Sequence, residues 1–298
     1  MLRGLIRKSV FLGSAVVAMF YLSSGEVFSQ SLEQEATVEE NIPTEEGLTV
    51  KFVSTDLEGA AEALANAKSY TVNLQIQDRS FPNGGGSVPE VKVSAIHNGE
   101  NIFFGIQWSD ATKNDRAIKH EQFRDAVGLM FPLGIVKISP ETPFSPRMGD
   151  RGKTVNIWHW KADWERDLLA DGGYEHMEDQ YPNMFTDFDF DPNPIPDNKA
   201  AHESAELMSG GYSAGSLLSQ ARGRSVEDLN AVGFGTLTAQ EHQDVEGTGA
   251  WIDGTWDVIV YRPLSTPDAN DVQFVPGKST FFNMAVWNGE DGDRNGLK

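Results

Sequence analysis

Apolar and polar residues alternate along much of the chain, and this period of two is typical of half-buried β-strands. At the start of the pattern, Val72, Leu74 and Ile76 alternate with polar residues. Similar strand-length runs occupy residues 91–95, 101–110, 125–132, 154–160, 249–261 and 280–287. Asn98-Gly99 and Asp253-Gly254 are turn signals that join neighbouring runs into hairpins. No βαβ rhythm and no internal repeat occur. The pattern therefore predicts an all-β fold, an antiparallel β-sandwich.

The alternation is interrupted in three places. Residues 30–47 are acidic and poor in apolar residues, which predicts a flexible lead-in. Residues 55–68 begin with a capping-box pattern and continue as an Ala-rich run, which predicts a short helix. Between about 162 and 246 Gly, Asp, Asn and Pro dominate, so we expect a long loop and helix insertion, with a possible helix beginning at Ser225. Residues 48–298, with this insertion included, are predicted to form a single domain.

The amino terminus has the features of a secretory signal. Arg3, Arg7 and Lys8 precede an apolar run over residues 10–22, and small residues end near Ser29. The run is short for a bilayer span, so cleavage after about residue 29 is predicted, with no membrane span afterwards. The protein is then expected to be exported, to a periplasm or an equivalent internal bacterial compartment.

Charge and cysteine content exclude several functions. The formal charge is −20, and removal of residues 1–29 would change it to −22 because three cationic and one anionic side chain leave. Such a surface repels nucleic acid and favours basic or neutral protein partners. The chain has no Cys, which excludes disulfides, iron–sulfur clusters and covalently attached haem.

The segment 148–164 concentrates the residues that could bind a cofactor. Within it, Trp158 and Trp160 alternate with His159, so an extended backbone directs the indoles to one face and the imidazole to the other. Met148 lies on a turn just upstream and offers a soft sulfur ligand. The alternative interpretation is a core strand with a Met that fills a gap.

Other candidate sites are weaker. Signatures of serine hydrolases, zinc proteases and P-loop enzymes are absent. The glycines 84–86 have no helix after them, so we interpret them as a hairpin-type turn. Alternating carboxylates resemble a calcium loop but lack the EF-hand glycine and terminal Glu. They are Asp187, Asp189 and Asp191, and near the carboxyl end Asp291 and Asp293. A solvated acidic loop is the alternative in both places.

Five motifs then resemble, in order, those of one protein family. They are VKVSAIHNGENIFFGIQWSDATKND, RDAVGLMFP, PRMGDRGKTVNIWHWKADW, GAWIDGTWDVIVYRPL and FFNMAVWNGEDGDRNGLK. Together they resemble the haem b γ subunits of the ethylbenzene dehydrogenase type, which belong to molybdenum enzymes of the type II DMSO reductase family. Dimethylsulfide dehydrogenase, selenate and chlorate reductases and nitrite oxidoreductase have such subunits. The long insertion makes the nitrite oxidoreductase γ subunit the most similar in kind.

The resemblance implies a β-sandwich that holds one noncovalent haem b, with a Met and a Lys as axial ligands of the iron. By position in the motifs, the Met is Met148, with Met130 as the alternative. The Lys is Lys298, with Lys278 as the alternative. The subunits it resembles continue past this Lys, whereas the sequence here stops at it. The aromatic residues expected to line the haem slot are Trp158, Trp160, Trp251, Trp256, Trp287 and Phe282.

The implied function is electron transfer without catalysis, because two protein ligands leave no open position on the iron. The implied partners are an iron–sulfur β subunit, a molybdenum α subunit and an external soluble cytochrome. Nitrite oxidation is the first expectation for the complex, and hydrocarbon or sulfide dehydrogenation or oxyanion reduction is the alternative. A haem-free sandwich that binds glycans or small ligands on its Trp residues is the rival from another class.

Overall fold

The computed structural model describes residues 18–22, 47–78, 81–134, 147–150, 152–169 and 222–298, and of residues 18–22 it describes the backbone. Within these ranges the chain is built mostly of strands. The helices are α1 (Ala60–Ala65) and α2 (Ala162–Leu169). The strands are β1 (Ala18–Leu22), β2 (Leu48–Phe52), β3 (Tyr70–Asn73), β4 (Glu90–His97), β5 (Asn101–Ser109), β6 (Ala126–Pro132), β7 (Val155–Lys161), β8 (Val226–Ala231), β9 (Thr238–Ala239), β10 (Glu246–Ile252), β11 (Thr255–Pro263) and β12 (Phe281–Trp287). The predicted all-β class is confirmed.

Two sheets form the sandwich. The first has the order β10-β11-β5-β4-β2, with β3 beside β2 along the same edge of β4. The second has the order β12-β6-β7-β8-β9, and its neighbouring strands are antiparallel. β1 pairs with β2 in parallel and with β12 antiparallel, so it links the sheets at one edge. Neither helix in the described ranges has the length and apolar character that crossing a bilayer requires.

Aromatic side chains fill the space between the sheets. The ring centroids of Phe131 and Trp158 are 4.9 Å apart, and those of Trp160 and Trp256 are 5.0 Å apart. Trp108 stacks on Trp256 with centroids at 6.1 Å. Each such pair contributes about 0.5–1.5 kcal/mol beyond the burial of its surface. The indoles at 158, 160 and 256 therefore hold the two sheets together.

Local sequence signals predicted many of these elements correctly. The strands expected from alternation are present, with ends shifted by a few residues. Asp253 and Gly254 have φ values of 49° and 82°, as the primed hairpin turn between β10 and β11 requires. The helix expected at 55–68 is the shorter α1, and the Gly59 amide before it donates to Asp56 Oδ1 at 2.8 Å.

The helix expected at Ser225 is wrong, because this part of the chain forms strand β8. The strand pairs with β7 from Val226 to Ala231. Its polar side chains have partners on β7: Asp228 accepts from the Asn156 amide, and Glu227 pairs with Lys161. Strands therefore resume inside the segment assigned to the insertion. Residues 170–221 of that segment lie outside the described residues.

Candidate functional site

A cavity of about 670 Å³ lies against the outer face of the second sheet. This volume is within the range of about 300–1,000 Å³ that is typical of small-molecule and cofactor sites. Successive residues of the strands point alternately to the core and to the cavity. Val127 and Leu129 of β6 face the core between the sheets, whereas Gly128 and Met130 line the cavity. The site is therefore on the face of the sheet that the core does not use.

The floor of the cavity consists of two rows of residues across β12, β6 and β7. In one row Ala285, Gly128 and His159 are neighbours. In the next row Asn283, Met130 and Ile157 are neighbours. A glycine within a strand often marks the close approach of a ligand or another chain segment. A Cβ at Gly128 would lie 3.4 Å from the Trp287 ring, so the absence of a side chain here leaves space beside the indole.

Met148 reaches the cavity from a tight turn over the second row. Its φ is 64°, and Gly149 after it has a φ of 87°. Positive φ in a residue other than Gly costs about 1–3 kcal/mol and is concentrated at functional sites. The turn is fixed by a short bridge between Asp150 and Lys153, and the Gly233 amide donates to the Met148 carbonyl at 2.9 Å. The Met148 side chain packs on the cluster that contains Met130.

Lys298 also lines the cavity, close to the Trp287 indole that lies beside the first row. Its Nζ lies 4.9 Å from the ring centroid of Trp287, a cation–π distance. Burial lowers the pKa of Lys298 to about 8. Removal of its proton is thus easier than for an exposed Lys, and a neutral amine is a metal ligand. A thioether and an amine accordingly line a single cavity.

The glycines 84–86 hold the backbone of Lys298 in place. Their φ values are 105°, 75° and 77°, all in the left-handed region that favours Gly. The Lys298 amide donates to the Gly84 carbonyl at 3.1 Å, and the Lys298 carbonyl accepts from the Gln77 amide at 3.4 Å. A Cβ at Gly85 would lie 2.4 Å from the Lys298 nitrogen. The glycine loop therefore binds the lysine segment more closely than any other residue type would allow.

His159 is on β7, which pairs with β6 and β8, and it lies on the cavity floor close to Trp287. Its ring centroid is 4.9 Å from that of Trp287. Its Nε2 is buried and has no hydrogen-bond partner among the described residues. Burial, followed by the charges of Lys161, Arg124 and Lys298, lowers the pKa of His159 well below its usual range. The imidazole is thus neutral at physiological pH.

The sequence-predicted residues divide into two groups. Met148, Lys298, Met130 and Trp287 line the cavity. Trp158, Trp160 and Trp256 lie in the core between the sheets and do not line it. Phe282 and Trp251 also belong to or pack on that core. Lys278 is exposed and lies outside the cavity. The indoles of β7 thus occupy the core face of their strand, while the cavity uses the face that carries His159.

Sequence reasoning missed other residues that line the cavity. Gly128 was the strongest available signal, because it interrupts an otherwise apolar strand. Three arginines, Arg124, Arg147 and Arg294, also line the cavity. Arg124 pairs with Asp163 at 2.8 Å, and Arg294 lies over the Phe123 ring at 4.7 Å. Their positions depend on loops that converge from distant parts of the chain, so no local pattern shows them.

The carboxylates considered for calcium have other roles where they are described. Asp293 accepts hydrogen bonds from the amides of Asn288 and Gly86, which joins the last loop to the glycine loop. Asp291 accepts from the Asn288 side chain. Within the described ranges no group of three or more His, Asp or Glu residues is placed to hold a metal ion. Asp187, Asp189 and Asp191 lie outside these ranges.

The fold and the cavity define a class of protein: a β-sandwich with a cofactor-sized cavity on one outer face, lined by a thioether and an amine. The family model described as ethylbenzene dehydrogenase matches residues 61–298. The chain therefore belongs to the ethylbenzene dehydrogenase family.

Two curated relatives agree with this assignment. A protein of Haloferax mediterranei, named as a respiratory nitrate reductase haem subunit, is 23% identical over 239 residues, which is 80% of this chain and 63% of the relative. The chlorate reductase subunit gamma of Ideonella dechloratans is 22% identical over 215 residues, which is 72% of this chain and 63% of the relative. The chain thus spans slightly less than two thirds of the length of each relative.

Proposed function

We propose that this protein is a haem-binding electron-transfer subunit of a molybdenum oxidoreductase complex. The observation that carries the proposal is the joint presence of Met148 and Lys298 in the cavity of about 670 Å³. The family match and the haem subunits named among the relatives support it. The subunit itself would not be catalytic.

The residues of the cavity fit a haem. Its floor is mostly apolar and includes Ala126, Gly128, Ala285 and Ile157, and a flat ring system needs such surfaces. Met148 supplies a soft sulfur donor, and Lys298 supplies an amine whose proton is held less tightly than usual. The chain has no Cys, so the haem would be noncovalent and of the b type.

When bound, the haem supplies one-electron redox chemistry at its iron. Met148 and Lys298 would hold the iron through sulfur and nitrogen, so the group would carry electrons and would not bind a substrate. A thioether ligand and a largely apolar pocket would both raise the reduction potential, because the ferric form carries the extra charge. Lys298 must release its proton to bind, so its partial burial prepares it as a ligand.

The wider assembly is also part of the proposal. The subunit would dock on an iron–sulfur β subunit next to a molybdenum α subunit, and it would exchange electrons with a soluble cytochrome. Nitrite oxidation is our first assignment for the complex.

A formal charge of −20 favours a basic cytochrome as the external partner. The association rate should fall at least tenfold from low to high ionic strength, and a rate that does not depend on salt would contradict this pairing.

Haem reconstitution tests the ligand assignment. The wild type should show the Soret band and the six-coordinate low-spin spectrum of haem with two protein ligands. Met148→Ala should change the coordination and lower the potential, and Lys298→Ala should lose the amine ligand. Met130→Ala is the control for the first variant because Met130 lines the same cavity from the floor. Lys278→Ala is the control for the second because Lys278 lies outside it.

A wild-type protein without a Soret band would overturn the proposal and favour the haem-free ligand-binding alternative. The burial of three Trp side chains argues against that alternative. Trp158, Trp160 and Trp256 are at most 1% exposed, so they offer no stacking platform for a glycan.

Export is proposed from the amino-terminal sequence. Mass spectrometry of the protein from its native host should find a mature chain that begins close to residue 30. Cleavage there would remove β1, which pairs with both β2 and β12. A chain that retains residues 1–29 in the mature complex would contradict this proposal.

A further inference from the structure

The unpartnered Nε2 of His159 is the cavity feature that the proposed ligand pair does not explain. Buried polar atoms in native structures nearly always have a hydrogen-bond partner. This nitrogen is buried without one among the described residues. The strand β7 holds the imidazole on the cavity floor, opposite Gly128 of β6. A position fixed by the strand and an unpaired nitrogen indicate that His159 gains its hydrogen bond when a group binds in the cavity.

Lys298 is the other nitrogen-bearing side chain beside Trp287 in this cavity. Its Nζ lies 4.9 Å from the ring centroid of Trp287, and the His159 ring lies 4.9 Å from that of Trp287. The charge of Lys298 is also among those that lower the pKa of His159. The amine and the imidazole thus both lie beside the Trp287 indole.

The chemistry of the two groups is complementary. A Lys amine bound to a metal is neutral and keeps two N–H donors. In a cavity whose lining is mostly apolar these donors need acceptors, because a buried donor without a partner costs free energy. A neutral imidazole has one ring nitrogen with a free lone pair, which accepts a hydrogen bond. The buried His159 Nε2, which has no hydrogen-bond partner among the described residues, can supply that lone pair.

We infer that His159 is a positioning residue for the axial lysine: its Nε2 accepts a hydrogen bond from the Lys298 amine when that amine is bound to iron. Such a bond orients the ligand and increases its electron donation, as outer hydrogen bonds do at other metal sites. Stronger donation stabilises the ferric form and lowers the reduction potential. The inference rests on the proposed function, in which Lys298 is a ligand.

His159→Phe and His159→Gln test this role in the haem-loaded protein. Phe keeps an aromatic ring against Trp287 but removes the acceptor, whereas the Gln side chain can present an oxygen near the position of Nε2. Loss of an outer hydrogen bond weakens metal binding by about 10–100-fold. If the loss falls on the ferric form, His159→Phe raises the potential by about 60–120 mV, at 59 mV per tenfold for one electron. His159→Gln should return it towards the wild-type value.

His97→Phe is the matched control. His97 is also buried, at 3% exposure, but it lies on β4 in the first sheet, beside Phe52 and outside the cavity. Its replacement should leave the potential unchanged. Equal potentials for the wild type, His159→Phe and His97→Phe would overturn the inference.

Two further outcomes separate this inference from the proposed function. A low-spin spectrum that persists in Lys298→Ala and is lost in His159→Phe would make His159 the ligand, which overturns the positioning role. A wild type that binds no haem would refute the proposed function itself.

The wild type provides a test that needs no variant. Nitrogen-15 NMR of histidine in the diamagnetic ferrous protein should show the His159 Nε2 without a proton between pH 6 and 8. A protonated Nε2 would overturn the inference even if His159→Phe fails to fold.

Discussion

Replacement of Gly85 by Ala should move Lys298 out of position. A Cβ at Gly85 would lie 2.4 Å from the backbone nitrogen of Lys298 and 2.6 Å from the carbonyl carbon of Leu297. Both are backbone atoms, which cannot rotate away as the end of a flexible side chain can. The third close atom is Asp293 Oδ1 at 2.5 Å. The chain segment that carries the proposed ligand must therefore shift.

The size of the effect has two parts. Gly85 has a φ of 75°, and Ala in this left-handed conformation costs about 1–2 kcal/mol. Displacement of Lys298 also breaks its hydrogen bonds with Gly84 and Gln77, each with a net contribution of about 0.5–1.5 kcal/mol. Gly277 provides the control. Its φ is 81°, and no described atom lies within 4 Å of its would-be Cβ.

Urea unfolding and haem spectroscopy measure the two parts separately. Gly277→Ala should lose about 1–2 kcal/mol of unfolding free energy and keep the wild-type spectrum. Gly85→Ala should lose about 1–3 kcal/mol more and should also lose the spectral signature of the axial amine. If both variants have the same stability and the same spectrum, the glycine loop does not position Lys298, and the reasoning fails.

Two further predictions concern buried charges. Burial raises the pKa of Asp125 from 3.8 to about 7, so the folded state binds this proton more tightly than the unfolded chain does. The unfolding free energy of the wild type should therefore fall as the pH rises from about 4 to about 7, and it should fall less steeply in Asp125→Asn. Urea unfolding at several pH values measures this, and an equal dependence of the free energy on pH in the two proteins would contradict it. Arg262→Met leaves the buried Asp271, 3.0 Å away, without its cation and should cost about 3–5 kcal/mol. Lys113→Met at the exposed pair with Asp115 should cost at most about 1 kcal/mol, and equal losses would refute the distinction.

The face assignment of β7 shows where sequence reasoning stopped. Alternation correctly separated Trp158 and Trp160 from Ile157 and His159, because the strand period is two. It could not decide which set faces the core, since both faces of this strand are covered and both carry apolar residues. Most β7 side chains are buried. Only the packing of the first sheet against one face identifies the other as the cavity face.

Strand β8 shows a different limit. Its sequence VEDLNA carries three polar side chains and has no strand-like alternation. Two of them, Glu227 and Asp228, can be buried because Lys161 and Asn156 of β7 supply charge and a hydrogen bond, which no local pattern reveals. The position of Lys298 is equally nonlocal, because the glycines that hold it are more than 200 residues earlier in the chain. Tertiary contacts, not local propensity, determine both features.

The two proposed ligands are attached to different parts of the sandwich. Met148 is fixed through Gly233, which lies two residues after the end of β8 in the second sheet. Lys298 is fixed through the glycine loop between β3 and β4 of the first sheet, although its own segment follows β12. The distance between the two donors thus depends on how the sheets pack, and the aromatic core sets that packing. Trp158 and Trp160 therefore contribute to the site without lining it: they would maintain the geometry in which a thioether and an amine can bind the same iron.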